Sequence, residues 1–439
     1  MVDYVRHGRL SGQSSSPRAV VGGSAAVDQV GPSRFVIDQD QNPQRSDDRG
    51  GKNHSSNVET LKRTNDVRIN VPTFIAVLAV ATPAFAQQQS NTATTEIFAR
   101  LPQSVGNVAF TPDNQVIFSH HPFYSPDVRV AKLTSPTTFE PFPNAEWNTP
   151  REGSDQYLDN VLGLRSDEDG VVWIIDMGFR THITPKLVGW NTRANRLERI
   201  YYMPEPVTRP GSQPQDIVID GKDHKFYIAD EDIGPGGDGS QAAIIVVDRD
   251  TGRARRVLEG DKSTIPEDVP ITVDGNDLTV PGKDGKPTII KVGCDGITMD
   301  AKAEWLYYAP LSGRSLYRIR VDDLNDESLS NAQLSAKVER YSDKPNNGGL
   351  SIDFAGNIYL TAVETKSIGV ITPDRKYRTF ASDPQMVWPD GISYSPDGYM
   401  YVSASQVSAA AMFHGGKAEN KTPYLIYRFK PLAAGIVSR

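Results

Sequence analysis

The chain has 439 residues, 38% of them hydrophobic and 23% charged, with a net charge of -7. That balance suits a folded globular protein and lacks the basic footprint of a nucleic-acid binder. A single cysteine, Cys294, excludes an intramolecular disulfide, so stability has to come from a large buried core, which a chain of this length can build.

Residues 1–60 are polar, rich in Ser, Gly, Asp, Asn and Arg, and carry no sustained apolar period. They read as disordered, or as an extension outside the true product. Residues 61–86 read as a signal peptide: Leu61-Lys62-Arg63 and Arg68 supply charge, Val71 to Val80 is apolar, and Ala84-Phe85-Ala86 is a small-x-small cleavage pattern. The apolar run is too short for a bilayer span, which needs roughly 20 residues. Cleavage after Ala86 leaves a secreted or periplasmic chain from Gln87. A signal belongs at an N-terminus, so Met1 reads as too early a start, with the true one near Val58 or Leu61.

Residues 87–439 repeat one hairpin six times. The copies begin at Asn107, Asn160, Asp216, Asp295, Asn347 and Asp390, each with two alternating apolar strands around a turn such as Asp169-Gly170 or Asp397-Gly398. They recur at intervals of roughly 40–60 residues, with one longer interval, as the blades of a propeller do. The longer interval holds an insertion from Glu259 to Val292, where Ile271-Thr272-Val273 and Thr288-Ile289-Ile290 flank turns at Asp274-Gly275 and Asp284-Gly285. It predicts an extra hairpin or extended loop. Outer strands follow each hairpin, as at Leu187–Trp190 with Leu197–Ile200. After the sixth hairpin only Leu425–Phe429 remains. The missing strand is expected from Glu96-Ile97-Phe98-Ala99-Arg100, which would complete the last blade and close the ring. The predicted fold is therefore all-β, a six-bladed β-propeller. A jelly roll or sandwich would not require six copies of one hairpin.

The stretches Val161–Gly178, Pro185–Asn191, Asp295–Tyr308 and Asn347–Ile371 together resemble the major royal jelly protein/Yellow family, and Tyr427-Arg428-Phe429-Lys430-Pro431-Leu432 resembles its bacterial members. The resemblance covers nearly all of residues 95–437. It implies a secreted six-bladed propeller with a central channel, and no single reaction: the family includes nutritional proteins, small-ligand binders and pigment-pathway proteins with a proposed isomerase role.

In a propeller the start of each innermost strand faces one mouth of the channel. Here those positions are Asn107, Asn160, Asp216, Asp295, Asn347 and Asp390, a ring of oxygens suited to a polar small molecule or to one divalent cation such as Ca²⁺. The same side chains also cap neighbouring backbone N–H groups, a purely structural use. The related gluconolactonase/senescence-marker propellers bind one divalent metal through a Glu, an Asn and an Asp at such positions. Asn347-Gly348-Gly349-Leu350 and Asp390-Gly391-Ile392 resemble two of these, which makes Asp295, Asn347 and Asp390 the metal candidates. Their early Glu-Gly-Pro is absent, since the first hairpin here starts Val105-Gly106-Asn107.

His120-His121 follows a strand, so at most one faces the channel, and His120 is taken as that one. His414 sits in a Gly-flanked loop, Cys294 adjoins Asp295 without a clear base, and Trp388, Phe123 and Tyr124 offer apolar walls or core packing. The expected function is binding of a small polar or aromatic molecule at the channel. The alternatives are a metal-dependent lactonase-like hydrolase or an isomerase on the same site, and a propeller that binds a protein.

Overall fold

The computed structural model describes residues 93–282 and 285–439. The extension and the signal peptide expected over 1–86 lie outside the described residues.

Six four-stranded antiparallel sheets stand around one axis. Blade 1 holds Val108–Phe110, Val116–Ser119, Val130–Ser135 and Thr138–Pro141. Blade 2 holds Val161–Ser166, Val171–Asp176, Lys186–Asn191 and Arg196–Tyr202. Blade 3 holds Pro214–Asp220, Lys225–Asp230, Ala243–Asp248 and Ala254–Val257. Blade 4 holds Cys294–Met299, Trp305–Pro310, Ser315–Arg320 and Glu339–Asp343. Blade 5 holds Asn347–Ile352, Ile358–Ala362, Ser367–Ile371 and Tyr377–Ser382. Blade 6 holds Pro389–Tyr394, Met400–Ala404, Tyr424–Phe429 and, from the other end of the chain, Thr95–Leu101. Thr95–Leu101 pairs antiparallel with Tyr424–Phe429, from Thr95 opposite Phe429 to Leu101 opposite Tyr424.

The innermost strand of each blade lies beside the next, and the sixth returns beside the first. Both faces of every sheet are therefore covered, which explains why the inner strands bury every residue but Tyr394, as in Val161–Ser166 and Asn347–Ile352. The core is divided among the interfaces between blades. Ile117 and Val130 of blade 1 meet Leu164 and Val172 of blade 2, and Tyr227 and Ile244 of blade 3 meet Ile297 and Leu306 of blade 4.

The hairpin turns share one construction. Asp167 accepts from the N–H groups of Asp169 and Val171 and from the indole of Trp173. Asp353 does the same for Ala355, Asn357 and the Tyr359 hydroxyl. Gly170 and Gly398 take φ of +83°, which the turn requires and a side chain would strain.

The insertion forms two small hairpins, Thr272–Val273 with Asn276–Asp277 and Thr279–Pro281 with Pro287–Ile289. Two one-turn helices, Val321–Asn325 and Asn331–Ser335, join the outer strands of blade 4; no repeat in the sequence announces them. No helix among the described residues is long and apolar enough to cross a membrane.

Candidate functional site

The start of each innermost strand and the end of its hairpin partner lie on the same face of the ring, because the two run antiparallel. Blade 3 thus presents Gln213 and Gln215 from one strand start and Glu231 from the adjacent strand end. Blade 4 adds Asp295, blade 6 adds Asp390, and His121 follows the second strand of blade 1. These six side chains line one cavity on the axis with Phe123, Trp388, Phe413 and other apolar groups. It leaves about 30 Å³ open to a water-sized molecule, room for one or two waters.

Glycine is needed for this convergence. A Cβ on Gly391 would stand 1.9 Å from Asn107 Oδ1, and one on Gly163 would stand 1.6 Å from the Gln215 carbonyl oxygen. Glycines just inside the strand starts of blades 2, 4, 5 and 6, at Gly163, Gly296, Gly348 and Gly391, let neighbouring inner strands close around the axis.

Gln213 Nε2 donates to Glu231 Oε2 at 2.5 Å, and Gln215 Nε2 donates to Asp295 Oδ1. The Glu231 and Asp295 carboxyls line the same cavity, and the Glu231 charge is among the causes that raise Asp295. Burial is the main cause that pushes Glu231 up to about 8. Burial, then the Glu231, Asp390 and Asp216 charges, pushes Asp295 well above the carboxylate range. Burial raises Asp390 to about 7, against a hydrogen bond from Ser405 Oγ at 2.9 Å. His121 Nδ1 accepts from the Phe123 N–H at 3.3 Å, and its Nε2 lies 3.7 Å from Asp390 Oδ2. Burial holds the imidazole down to about 3, so this contact joins a neutral ring to the carboxyl. It is not an ion pair at neutral pH.

The six ring positions part company here. Asp295 and Asp390 line the cavity. Asp216 lies deeper, paired with Arg165 at 3.0 Å. The Asn347 amide donates to the Gly348 carbonyl at 2.6 Å and leaves its buried Oδ1 without a protein partner. Asn107 packs its Oδ1 toward Gly391. Asn160 is held through its backbone N–H on Asp176 Oδ1 at 2.9 Å. His120 is turned away from the axial cavity: its ring bonds the Ser104 carbonyl at 2.7 Å and packs on Phe118 and Phe139. Of the histidine pair it is His121 that lines the cavity. Alternation along the chain separates the two but does not say which one faces in.

Glu231, Gln213, Gln215 and His121 were not singled out from the sequence. The usable signal was that strand ends share the mouth with strand starts, which points to Asp230-Glu231 as directly as to Gln215-Asp216. Cys294 is fully buried, and burial raises its thiol well above its ordinary value, which keeps it from nucleophilic use. His414 stays in its loop, bonded to the Ser408 carbonyl at 2.8 Å.

The far end of the channel is bolted. Arg165 donates to Asp216 Oδ1 at 3.0 Å, to the carbonyls of Ile217, Ile392 and Arg439 at 3.2, 3.2 and 3.0 Å, and to Ser393 Oγ at 2.9 Å. Residues 431–439 cross that face: Gly435 bridges Asp353, Phe354 N–H donates to the Ala434 carbonyl at 2.8 Å, and Ser351 Oγ donates to the Arg439 carbonyl at 3.1 Å.

Among the described residues no group of three or more His, Cys, Asp or Glu side chains is placed to hold a metal ion. Asp295 and Asp390 already have protein partners, and the Asn347 amide is turned onto its own neighbour. The expected cation set is thus a poor fit to this arrangement.

The raised carboxyls make stability pH-dependent. Unfolded carboxyls release their protons near pH 4, whereas folded Glu231 and Asp390 keep theirs to about 8 and 7. The folded state then holds more protons, so stability falls as pH rises through this window. Below about 6.5 the buried neutral histidines, held to about 4 at His120 and 3 at His121, oppose the trend. From pH 6.5 to 8, urea unfolding should show a loss of about 2 kcal/mol, and Asp390→Asn should flatten part of that slope. A flat wild-type profile would show that the acids are ionised in the fold.

A ring of six four-stranded blades, with a small cavity lined by buried acids at one mouth and a bolt at the other, defines a six-bladed propeller. Residues 160–435 match the model of the major royal jelly protein family, and the chain belongs to that family. No curated protein matches the chain. Similar solved structures include a gluconolactonase from Xanthomonas campestris, at 10% identity over 77% of this chain and 90% of that one, TM-score 0.49. Virginiamycin B lyase from Staphylococcus aureus has 13% identity over 77% and 99%, TM-score 0.42. The PQQ-bound aldose sugar dehydrogenase from Streptomyces coelicolor has 12% over 77% and 98%, TM-score 0.45. At these scores the fold assignment rests on the strand pairing itself.

Proposed function

We infer that this chain is an exported binding protein whose axial cavity holds a small polar molecule, one that offers hydrogen-bond donors to Glu231, Asp295 and Asp390 and an apolar part to Trp388, Phe123 and Phe413. The observation that carries the reading is a polar floor of buried carboxyls and amides facing an apolar wall in one cavity, the composition that small-molecule sites favour. Buried acids gathered without a cation hold their protons, and a donor-rich ligand lets them ionise.

A second reading rests on the Glu231 and Asp295 carboxyls that line one cavity. A protonated acid beside a carboxylate can give and take protons on a bound substrate, which is the isomerase alternative.

Native mass spectrometry of the purified protein tests the first reading, with a retained small molecule as the expected result. Asp390→Ala should then lose that molecule while keeping the fold. If Asp390 only caps a strand, the change costs about 1 kcal/mol and alters no binding. Calorimetric titration of both proteins with Ca²⁺, Zn²⁺ and Mg²⁺ covers the hydrolase alternative: submicromolar binding that vanishes in the variant would move it to first place.

A further inference from the structure

The two ends of the axial cavity are bordered by different kinds of contact. Toward the far face lie the Arg165 bolt and the crossing segment 431–439. Arg165 and Asp216 are almost wholly buried, the guanidinium serves five acceptors, and Ile436 joins the core between blades 4 and 5. Opening that end strands a buried charge.

Over the near mouth lie the described parts of the insertion, residues 268–282 and 285–292, with the 405–413 loop. Ile271, Val273, Leu278 and Val292 pack with Leu311, Trp388 and Val407 in one apolar cluster, joined by Phe123, Ile290 and Phe413. Ile271, Ile290 and Val292 face the cavity directly. The polar ties that hold this cover to the ring are few: Thr272 N–H to Glu364 Oε1 at 3.1 Å, the Asn346 amide to the Pro270 carbonyl at 2.8 Å and, at its C-terminal end, Val292 N–H to Ser312 Oγ at 3.0 Å with Ser312 N–H to the Val292 carbonyl at 3.1 Å. Its ion pairs are exposed: Lys366 with Asp274 at 2.6 Å, Asp274 being 67% exposed, and Lys291 with Asp268 at 2.6 Å, Asp268 being 96% exposed. Such pairs hold little, being screened by water. The hairpin strands Asn276–Asp277 and Pro287–Ile289 are exposed throughout. Lifting the cover breaks apolar contacts and at most these four hydrogen bonds and strands no buried charge.

We propose that the insertion is a roof over the axial cavity, and that the cavity opens to solvent by displacement of this roof and not through the end bolted by Arg165. The roof supplies Ile271, Ile290 and Val292 to the apolar wall, so its movement both admits an occupant and completes its enclosure. The inference rests on how the cavity is closed and stands apart from the identity of any ligand: a cavity found empty by mass spectrometry leaves it intact.

Hydrogen exchange read by mass spectrometry on the full chain tests it. The paired change Ile271→Ser with Leu278→Ser should loosen the roof. Exchange should then quicken about tenfold or more in peptides over 211–217, 231–235 and 388–392, with those over 351–354 and 436–439 within about twofold of wild type. Asp274→Ala, which removes one exposed tie, should act in the same direction more weakly and leave the melting temperature unchanged. Equal quickening at both ends, no quickening at the mouth, or a paired variant that fails to fold would each show that the segment is part of the core and overturn the proposal.

Discussion

Deletion of Thr95–Leu101 is expected to leave a protein that aggregates or fails to fold at 37 °C. This strand buries Ala99 and Leu101, sets Phe98 edge-on to Tyr401 at 4.9 Å and packs Ile97 against the core between blades 5 and 6. Glu96 accepts both hydrogen bonds of an Arg428 fork, at 2.8 and 2.9 Å. The segment also ties neighbours together: Arg100 N–H donates to the Pro136 carbonyl of blade 1, and Ala93 N–H to the Phe380 carbonyl of blade 5. Burial of a leucine or phenylalanine stabilises by about 1.5–3 kcal/mol each, so the loss exceeds about 5 kcal/mol, comparable to the whole stability of many domains. The bare edge of Tyr424–Phe429 would then offer unpaired N–H and C=O groups to other chains. Melting curves with sedimentation check this. A monomer with an unchanged transition would show that the ring is complete without its N-terminal strand.

Arg165→Met is expected to lower stability by about 3–5 kcal/mol, because it leaves the buried Asp216 carboxyl without its cation and removes a donor from three carbonyls. Burial already pushes Asp216 up, against the pull of Arg165, so removal of the guanidinium raises it further. The variant's folded state should therefore keep a proton that the unfolded chain releases near pH 4, and its deficit should be greater at pH 8 than at pH 5. Asp216→Asn added to Arg165→Met should recover part of the loss and remove that extra pH dependence. Urea unfolding of wild type, single and double variants at both pH values measures each step. A deficit that is the same at pH 5 and 8 would show that Asp216 is not the stranded group.

The repeat was legible because a propeller is built from local pieces. Asp167 to Trp173 and Asp353 to Tyr359 are the same hairpin, stabilised by contacts within six residues, and such short-range patterns survive in a linear sequence. The pairing of Thr95–Leu101 with the last strand followed from counting, since a blade with three strands leaves an edge. The positions Asp295 and Asp390 were legible for the same reason: each begins a repeat next to the glycine that the axis demands.

What the sequence left open are contacts made across the ring. Gln215 reaches Asp295 of the next blade, Arg165 binds groups on blades 3 and 6, and the 431–439 segment crosses to blade 5; no periodicity encodes these distances. The choice of His121 over His120 depends on which way a strand is rotated against its neighbours. The pushed-up protons of Glu231, Asp295 and Asp390 arise only when folding removes water from three acids at once. The sequence by itself determined six hairpins and a closed count of strands. Only the tertiary structure, by bringing separate repeats to one axis under the 268–292 segment, decided which of their side chains form a site.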